Sequence, residues 1–320
     1  MPARFGTLLP TRELAISRTA DATRLLDIAR RLDDVVDSLW IGESVLARPR
    51  MDAYALLAAV AGCTSRVTLG TAVLLPSLRN PVAFAHAIAT IDALARGRLV
   101  LGVGAGFPQP DSEAEFANLG ADYRRRISGL DATIDAARAI WRASGSGRRA
   151  TDPTDRFGFV DVAVTPPPHQ PGGPRTWLAT ASPAGLVRCG THHDGWLPYP
   201  PTPDEYRAGL EQVRAAAVAA GRARSSITPG LYVTVAIGEG NEPHERLDSY
   251  CPAYYGFPTE VMGALQALVA GPIDAVVTRL GEYVEAGAEH VVVRHATLDV
   301  ASVAREAALL HEALQAAASA

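Results

Sequence analysis

RNPVAFAHAIATIDALARGRLVLGVGAG, from Arg79 to Gly106, is the stretch on which the reading of the whole chain turns. Asn80-Pro81 marks a helix start, apolar residues then recur at helical spacing, and a Gly-Arg turn leads into a buried strand. That strand runs into Gly102, Gly104 and Gly106. Bare backbone there can approach a flat or phosphorylated ligand, because no side chain stands between. The GVGAG run shares part of the dinucleotide fingerprint, but it lacks the third glycine at the right offset and the acidic residue at the end of a following strand.

The same strand-then-helix unit recurs along the chain. Strand-like runs occupy 4–9, 38–43, 66–74, 98–104, 176–180, 195–199, 231–237 and 290–294. Amphipathic helical stretches fall at 20–36, 52–63, 81–95, 126–143, 183–191, 202–220, 272–286 and 300–317. The strands are nearly continuous apolar runs, as expected when both faces are buried. Repeated alternation of this kind predicts an α/β fold, a (β/α)8 TIM barrel in one domain over residues 1–320. An open doubly wound sheet is the alternative, but its usual strand number leaves two runs unexplained. Two segments break the rhythm: an insertion at about 144–174 after strand four, rich in Gly and Pro, and an excursion at about 239–270 after strand seven. The first is expected to hold a small hairpin or an extended piece, and the second, with Tyr250, Tyr254, Tyr255 and Phe257, to form a lid or substrate wall.

Nearly half of the 320 residues (48%) are hydrophobic, enough for a large core, and the net charge of −4 argues against nucleic acid or an anionic membrane as partner. All 30 cationic side chains are arginine, a usage that points to genome composition. Cys63, Cys189 and Cys251 are widely spaced and read as reduced thiols. No long apolar run, signal peptide or metal motif is evident, so a soluble cytoplasmic protein is expected. In a barrel, ligands sit where strands end, which selects Glu43, Ser44, Thr71 to Leu75, Ala105 to Phe107, Thr180 to Gly185, Trp196 to Tyr199, Arg294 and His295. Ser182-Pro183-Ala184-Gly185 opens a helix with free N–H groups, suited to an anion, although the same residues describe an ordinary capped helix.

Taken in order, SLWIGES (38–44), TSRVTLGTAVLLPSLRNP (64–81), ATIDALARGRLVLGVGAG (89–106), EFANLGADYRRR (115–126), WLATASPAG (177–185), DGWLPY (194–199) and YVEAGAEHVVVR (283–294) make the chain resemble the bacterial luciferase-like monooxygenase family. The resemblance implies a (β/α)8 barrel that uses reduced FMN or the deazaflavin coenzyme F-420. It implies a flavin phosphate at Thr180, Ala181, Ser182 and Gly185, helped by Arg126. It also implies a cis peptide at Ala72–Val73, next to Thr71 and behind the ring. Read from its place at the end of strand two, Glu43 either orients a flavin edge or a neighbouring side chain or forms an internal ion pair, and Ala105 and Gly106 are expected as further cofactor neighbours. A homodimer through the helices after strands two and three is likewise implied.

The chain departs from the family pattern in two places. Ser44 stands where several members have an acid/base histidine, and Phe107 where sugar-phosphate dehydrogenases have a glutamate. His295 and Ser44 remain as catalytic candidates, with His192 or His193 as other acid/base choices. Phe107, with Trp40, Trp196, Tyr199, Tyr254 and Tyr255, suggests an apolar substrate pocket, although each can equally pack a core. The first functional expectation is a monooxygenase that activates oxygen with reduced FMN from a separate flavin reductase, acting on a small, largely apolar or aromatic substrate. The alternatives are a coenzyme F-420-dependent hydride-transfer enzyme and a non-catalytic flavin-binding protein.

Overall fold

A computed structural model describes residues 3–18 and 21–319; Ala20, the expected start of one helix, lies outside the described residues. In chain order the elements are β1 (Arg4–Leu8), α1 (Thr11–Ile16), α2 (Thr23–Leu32), β2 (Ser38–Ile41), α3 (Ala53–Cys63), β3 (Thr68–Thr71), α4 (Pro81–Leu94) and β4 (Leu99–Val103). Then come α5 (Pro110–Asn118), α6 (Arg126–Gly145), β5 (Arg175–Leu178), α7 (Pro183–His192), β6 (Gly195–Trp196), α8 (Pro203–Ala219) and β7 (Thr228–Ile237). The chain finishes with α9 (Glu242–Tyr255), α10 (Thr259–Gly263), β8 (Leu268–Gly271), α11 (Ile273–Glu285), β9 (His290–His295) and α12 (Val303–Ser319). This is the strand–helix order of a (β/α)8 barrel with one strand more than the sequence suggests. The addition is β8, a four-residue LVAG run at the end of the expected excursion, too short to declare itself by periodicity.

Two compact units carry these elements, Met1–Trp40 with Trp177–Ala320, and Ile41–Thr176. In the first, every ladder is parallel: β1 lies between β2 and β9, β9 pairs with β7, and β5 pairs with β6. β7 is long enough to serve two neighbours on its other side. Thr228 and Pro229 pair with β6, and Thr234 to Ile237 pair with β8, so the post-strand-seven segment extends the sheet. Gly6 sits opposite Ser38 and Val292. Beside it, Trp40 Nε1 donates to Ser38 Oγ at 2.7 Å, and that hydroxyl lies 2.7 Å from His290 Nε2. Trp40 and Trp177 meet the His290 ring edge-on. Burial, aided by the charge of Arg4, pushes His290 down to about 3, so this histidine is a neutral core residue.

In the second unit β3 and β4 pair in parallel, Leu69 opposite Leu99. α4 begins as the sequence predicts: Asn80 Oδ1 accepts from the N–H groups of Val82 and Ala83, and Pro81 occupies the first turn. Its inner face carries Phe84, which packs on Trp141 of α6, and the Trp141 indole donates to Ala85 O at 2.9 Å. The Arg98 guanidinium donates to the carbonyls of Val67 and Thr64, while Asp92 accepts from Gln170. The insertion forms one antiparallel bridge, Ala150 with Val162, and not a ladder. Asp152 organises it by accepting from Thr154 N and Oγ1 and from the N–H groups of Phe157 and Gly158. Cys189 and Cys251 are buried thiols, and Cys63 is half-buried.

A Cβ on Gly6 would lie 1.9 Å from Ser38 Oγ and 2.8 Å from Trp40 Nε1. Gly6→Ala is therefore expected to overpack this interior and cost about 1–3 kcal/mol of stability, read as a lower denaturant midpoint.

Candidate functional site

In the second unit the ends of β2, β3 and β4 come together through backbone contacts. The Ala72–Val73 peptide is cis, as the family resemblance implies. It interrupts β3, which stops at Thr71 and resumes only as a bridge from Leu74 to Val103. Ala72 N donates to Ile41 O at 2.8 Å, and Glu43 N donates to Val73 O at 3.1 Å. Gly104 is required beside it, because a Cβ there would stand 2.8 Å from Val73 Cγ2. Thr71 is buried, and its hydroxyl donates to Gly102 O at 2.7 Å. Its side chain thus serves the sheet. Ala105 and Gly106 are half-buried, Gly106 in the left-handed region at φ +80, and Phe107 is 60% exposed.

Glu43 is a buried acid of this region. One oxygen accepts from Leu75 N at 2.7 Å; the other lies 2.7 Å from Arg79 Nη2, a close charge contact without hydrogen-bond alignment. Arg79 also approaches Asp52 at 3.5 Å and lies over the Tyr54 ring, 4.1 Å from its centroid. Burial pushes Glu43 from the ordinary 4.5 up to about 7, against the opposing pull of Arg79 and the Leu75 N–H. Ser44 has a structural neighbourhood: its hydroxyl donates to Glu115 at 3.0 Å and accepts from Arg48 N at 2.7 Å. Arg126 opens α6 with its guanidinium 4.2 Å from the centre of the Tyr123 ring. One Nη donates to Tyr123 O at 3.3 Å, while its Nε is buried without a hydrogen-bond partner.

The first unit presents the start of α7. Ser182 caps it by accepting from Gly185 N at 3.2 Å, and Ala181 to Ala184 are exposed. Only glycine fits at 185, since a Cβ would fall 1.8 Å from Thr180 Oγ1. Thr180 O accepts from Trp196 Nε1 at 2.9 Å. Trp196 itself is buried and stacks on Tyr206 of α8 at 5.3 Å, which corrects its expected place in a substrate pocket. Tyr199 is half-buried, with its carbonyl accepting from Ala267 N at 3.0 Å.

Tyr254 and Tyr255 belong to an aromatic box around Arg294. The guanidinium lies 3.8 Å from the Tyr254 ring centroid, and Arg294 Nε donates to the Tyr232 hydroxyl. Arg294 Nη1 meets Glu13 Oε1 at 3.0 Å, and Tyr250 donates to the same oxygen at 2.5 Å. Tyr255 and Thr234 share a hydroxyl contact of 2.8 Å. Alternation along β9 sends the neighbouring His295 to the opposite side. There Nδ1 lies 3.6 Å from Glu306 of α12, which also holds Arg246 of α9 at 3.1 Å. His295, expected as an acid/base candidate at a strand end, is thus packed against the helix layer. Glu115, Glu13, Tyr232 and Arg79 are the organising residues that sequence reasoning missed. Arg294, already selected as a strand end, carries the further signal of a charge within an otherwise apolar run. Among the described residues, no group of three or more His, Cys, Asp or Glu could hold a metal ion, and no helix is long and apolar enough to cross a membrane.

The chain belongs to the luciferase-like monooxygenase family, whose model matches residues 3–290. A phthiodiolone/phenolphthiodiolone dimycocerosates ketoreductase of Mycobacterium sp. (strain JLS) is 30% identical over 251 residues, covering 78% of this chain and 60% of the relative. An F420-dependent glucose-6-phosphate dehydrogenase of Amycolatopsis mediterranei (strain U-32) is 30% identical over 183 residues, covering 54% of this chain and 52% of the relative. The chain thus spans little more than half the length of these curated relatives. Among solved structures, an F420-dependent secondary alcohol dehydrogenase in complex with an F420-acetone adduct superposes with a TM-score of 0.80 at 17% identity, covering 98% of this chain and 99% of the other. A long-chain alkane monooxygenase gives 0.79 at 16% identity, covering 99% and 92%. At these identities the likeness establishes the shared barrel fold.

Because its folded pKa is raised, Glu43 contributes stability that is fully present below its unfolded value near 4.5 and is lost as pH rises through about 7. Between pH 4.5 and 7.5 the wild type should therefore lose on the order of 2 kcal/mol relative to Glu43→Gln. Denaturant midpoints of both proteins at half-unit pH steps check this, and parallel curves would refute it.

Proposed function

We propose that this protein is a deazaflavin-dependent oxidoreductase that moves hydride between coenzyme F-420 and an organic carbonyl or secondary alcohol. The observation that carries this reading is the set of relatives near 30% identity, named as ketoreductases and as an F420-dependent dehydrogenase. When bound, the cofactor supplies a two-electron hydride donor or acceptor; the chain's own residues bind it, orient it and keep water away.

Each unit, taken by itself, carries features that suit part of such a group. In the first, the exposed N–H groups at the start of α7 suit a phosphate, with Ser182 capping the turn and Gly185 leaving room beside Thr180. Ala181 contributes exposed backbone to the same turn. In the second, the cis peptide between Ala72 and Val73, with Ala105 and Gly106, offers bare backbone to a flat ring. Glu43 braces that backbone: its own N–H bonds to Val73 O and its carboxylate accepts from Leu75 N, one on each side of Leu74. Arg126 keeps a buried Nε without a partner, a donor suited to an anion. Ser44 and His295 take structural roles in this reading, and Phe107 faces an apolar substrate.

A second reading, an FMN-dependent monooxygenase served by a separate reductase, is favoured by one feature. Phe107 replaces an acid/base group with an exposed apolar side chain, which suits water exclusion more than proton transfer. Anaerobic titration separates the two. Reduced coenzyme F-420 is expected to bind at micromolar levels or better and at least tenfold more tightly than reduced FMN; the reverse order would favour the monooxygenase. Gly185→Ala, which forces a Cβ onto Thr180, should weaken cofactor binding at least tenfold in the same titration.

A further inference from the structure

The loop after β2 has an unusual anchor. Glu115 of α5 is 2% exposed, yet no cation pairs with it among the described residues. One carboxylate oxygen instead accepts from Ser44 Oγ at 3.0 Å, Val45 N at 2.5 Å, Leu46 N at 2.8 Å and, more loosely, Ala47 N at 3.4 Å. Ser44 Oγ closes the turn by accepting from Arg48 N at 2.7 Å. Arg48 then ties the loop to the next one, through Asp111 at 2.8 Å and Gln109 Oε1 at 2.9 Å. Gln109 N in turn donates to Phe107 O at 2.9 Å.

This anchoring has a consequence for the side chains. A buried carboxylate needs its donors, so the backbone of residues 44–47 cannot turn over without leaving a charge unsatisfied. Val45 and Leu46 are therefore held outward, 39% and 49% exposed, on a loop tied to the one bearing the 60%-exposed Phe107. Apolar groups kept in water by a rigid backbone are suited to be covered by an apolar ligand.

We propose that Glu115 is a positioning residue that fixes Val45 and Leu46 as an apolar ledge for the alkyl portion of the substrate. The proposal deepens the carbonyl-substrate reading and rests on it for the choice of probe. Its test is a binding measurement that needs no turnover: calorimetric titration of the protein with 2-alkanones from acetone to 2-undecanone, beside hydrogen exchange at the amides of residues 45 and 46. In the wild type, affinity should rise about fourfold per methylene over part of the series, with both amides protected. Glu115→Ala should speed exchange at those amides at least tenfold and flatten the chain-length dependence, while Glu115→Gln, which keeps an acceptor, restores most of both. The double variant Val45→Ser with Leu46→Ser should lose the chain-length dependence with the amides still protected, and it decides the matter should Glu115→Ala not fold. No chain-length dependence in the wild type, or an unchanged one in the double variant, would overturn the proposal. Failure of coenzyme F-420 to bind would instead sink the reading of the cofactor and leave the ledge standing.

Discussion

Carboxylates taken out of water must find donors, and in this protein that requirement shapes the loops that follow the strands. Glu115 collects a hydroxyl and three N–H groups, and Glu43 takes Leu75 N and the charge of Arg79. Glu13 is met by Arg294 and Tyr250. Such charge-assisted bonds contribute about 1.5–3 kcal/mol each, and a carboxylate stripped of them is worse than an apolar residue in its place. Each therefore commits a stretch of irregular backbone to one conformation. A loop that would otherwise adapt to any ligand becomes part of the fixed frame.

The two units use this constraint differently. In Ile41–Thr176 the acids hold backbone, so the cis peptide, Gly104 and the loop after β2 are set in place and the apolar side chains around them face outward. In the other unit the acid holds a side chain. Arg294, itself buried, is wrapped by Tyr232, Tyr250 and Tyr254, which binds α9 to β7 and β9. The segment expected to form a lid or substrate wall is thereby packed in place, strengthened by β8 on the edge of β7. A cation stacked on aromatic faces and paired with a carboxylate contributes both attraction and direction, so the helix is fixed in register as well as position.

Much of the architecture was legible from the chain itself. The apolar runs of β4 and β9, the Asn80-Pro81 helix start and the Ser182-Pro183 cap are all local signals. Each depends on backbone chemistry within a few residues, so the structure reproduces them. The ordered motifs also led to the family and, through it, to the cis bond at Ala72–Val73. Side-chain roles were less legible. Trp196 and His295 were placed in the site because they end strands, but one stacks on α8 and the other meets Glu306 of α12.

The reason is geometric. Apolar periodicity and capping residues determined which segments became strands and helices, since those choices are settled by neighbours in sequence. Tertiary structure decided which side of a doubly buried strand each residue faces. When both faces are covered, the apolar pattern carries no phase, and Arg294 and His295 look alike until their partners are known. It also decided where Glu115 goes. Its donors lie about seventy residues away, at 44 to 47, and nothing short of the folded chain brings them to one oxygen.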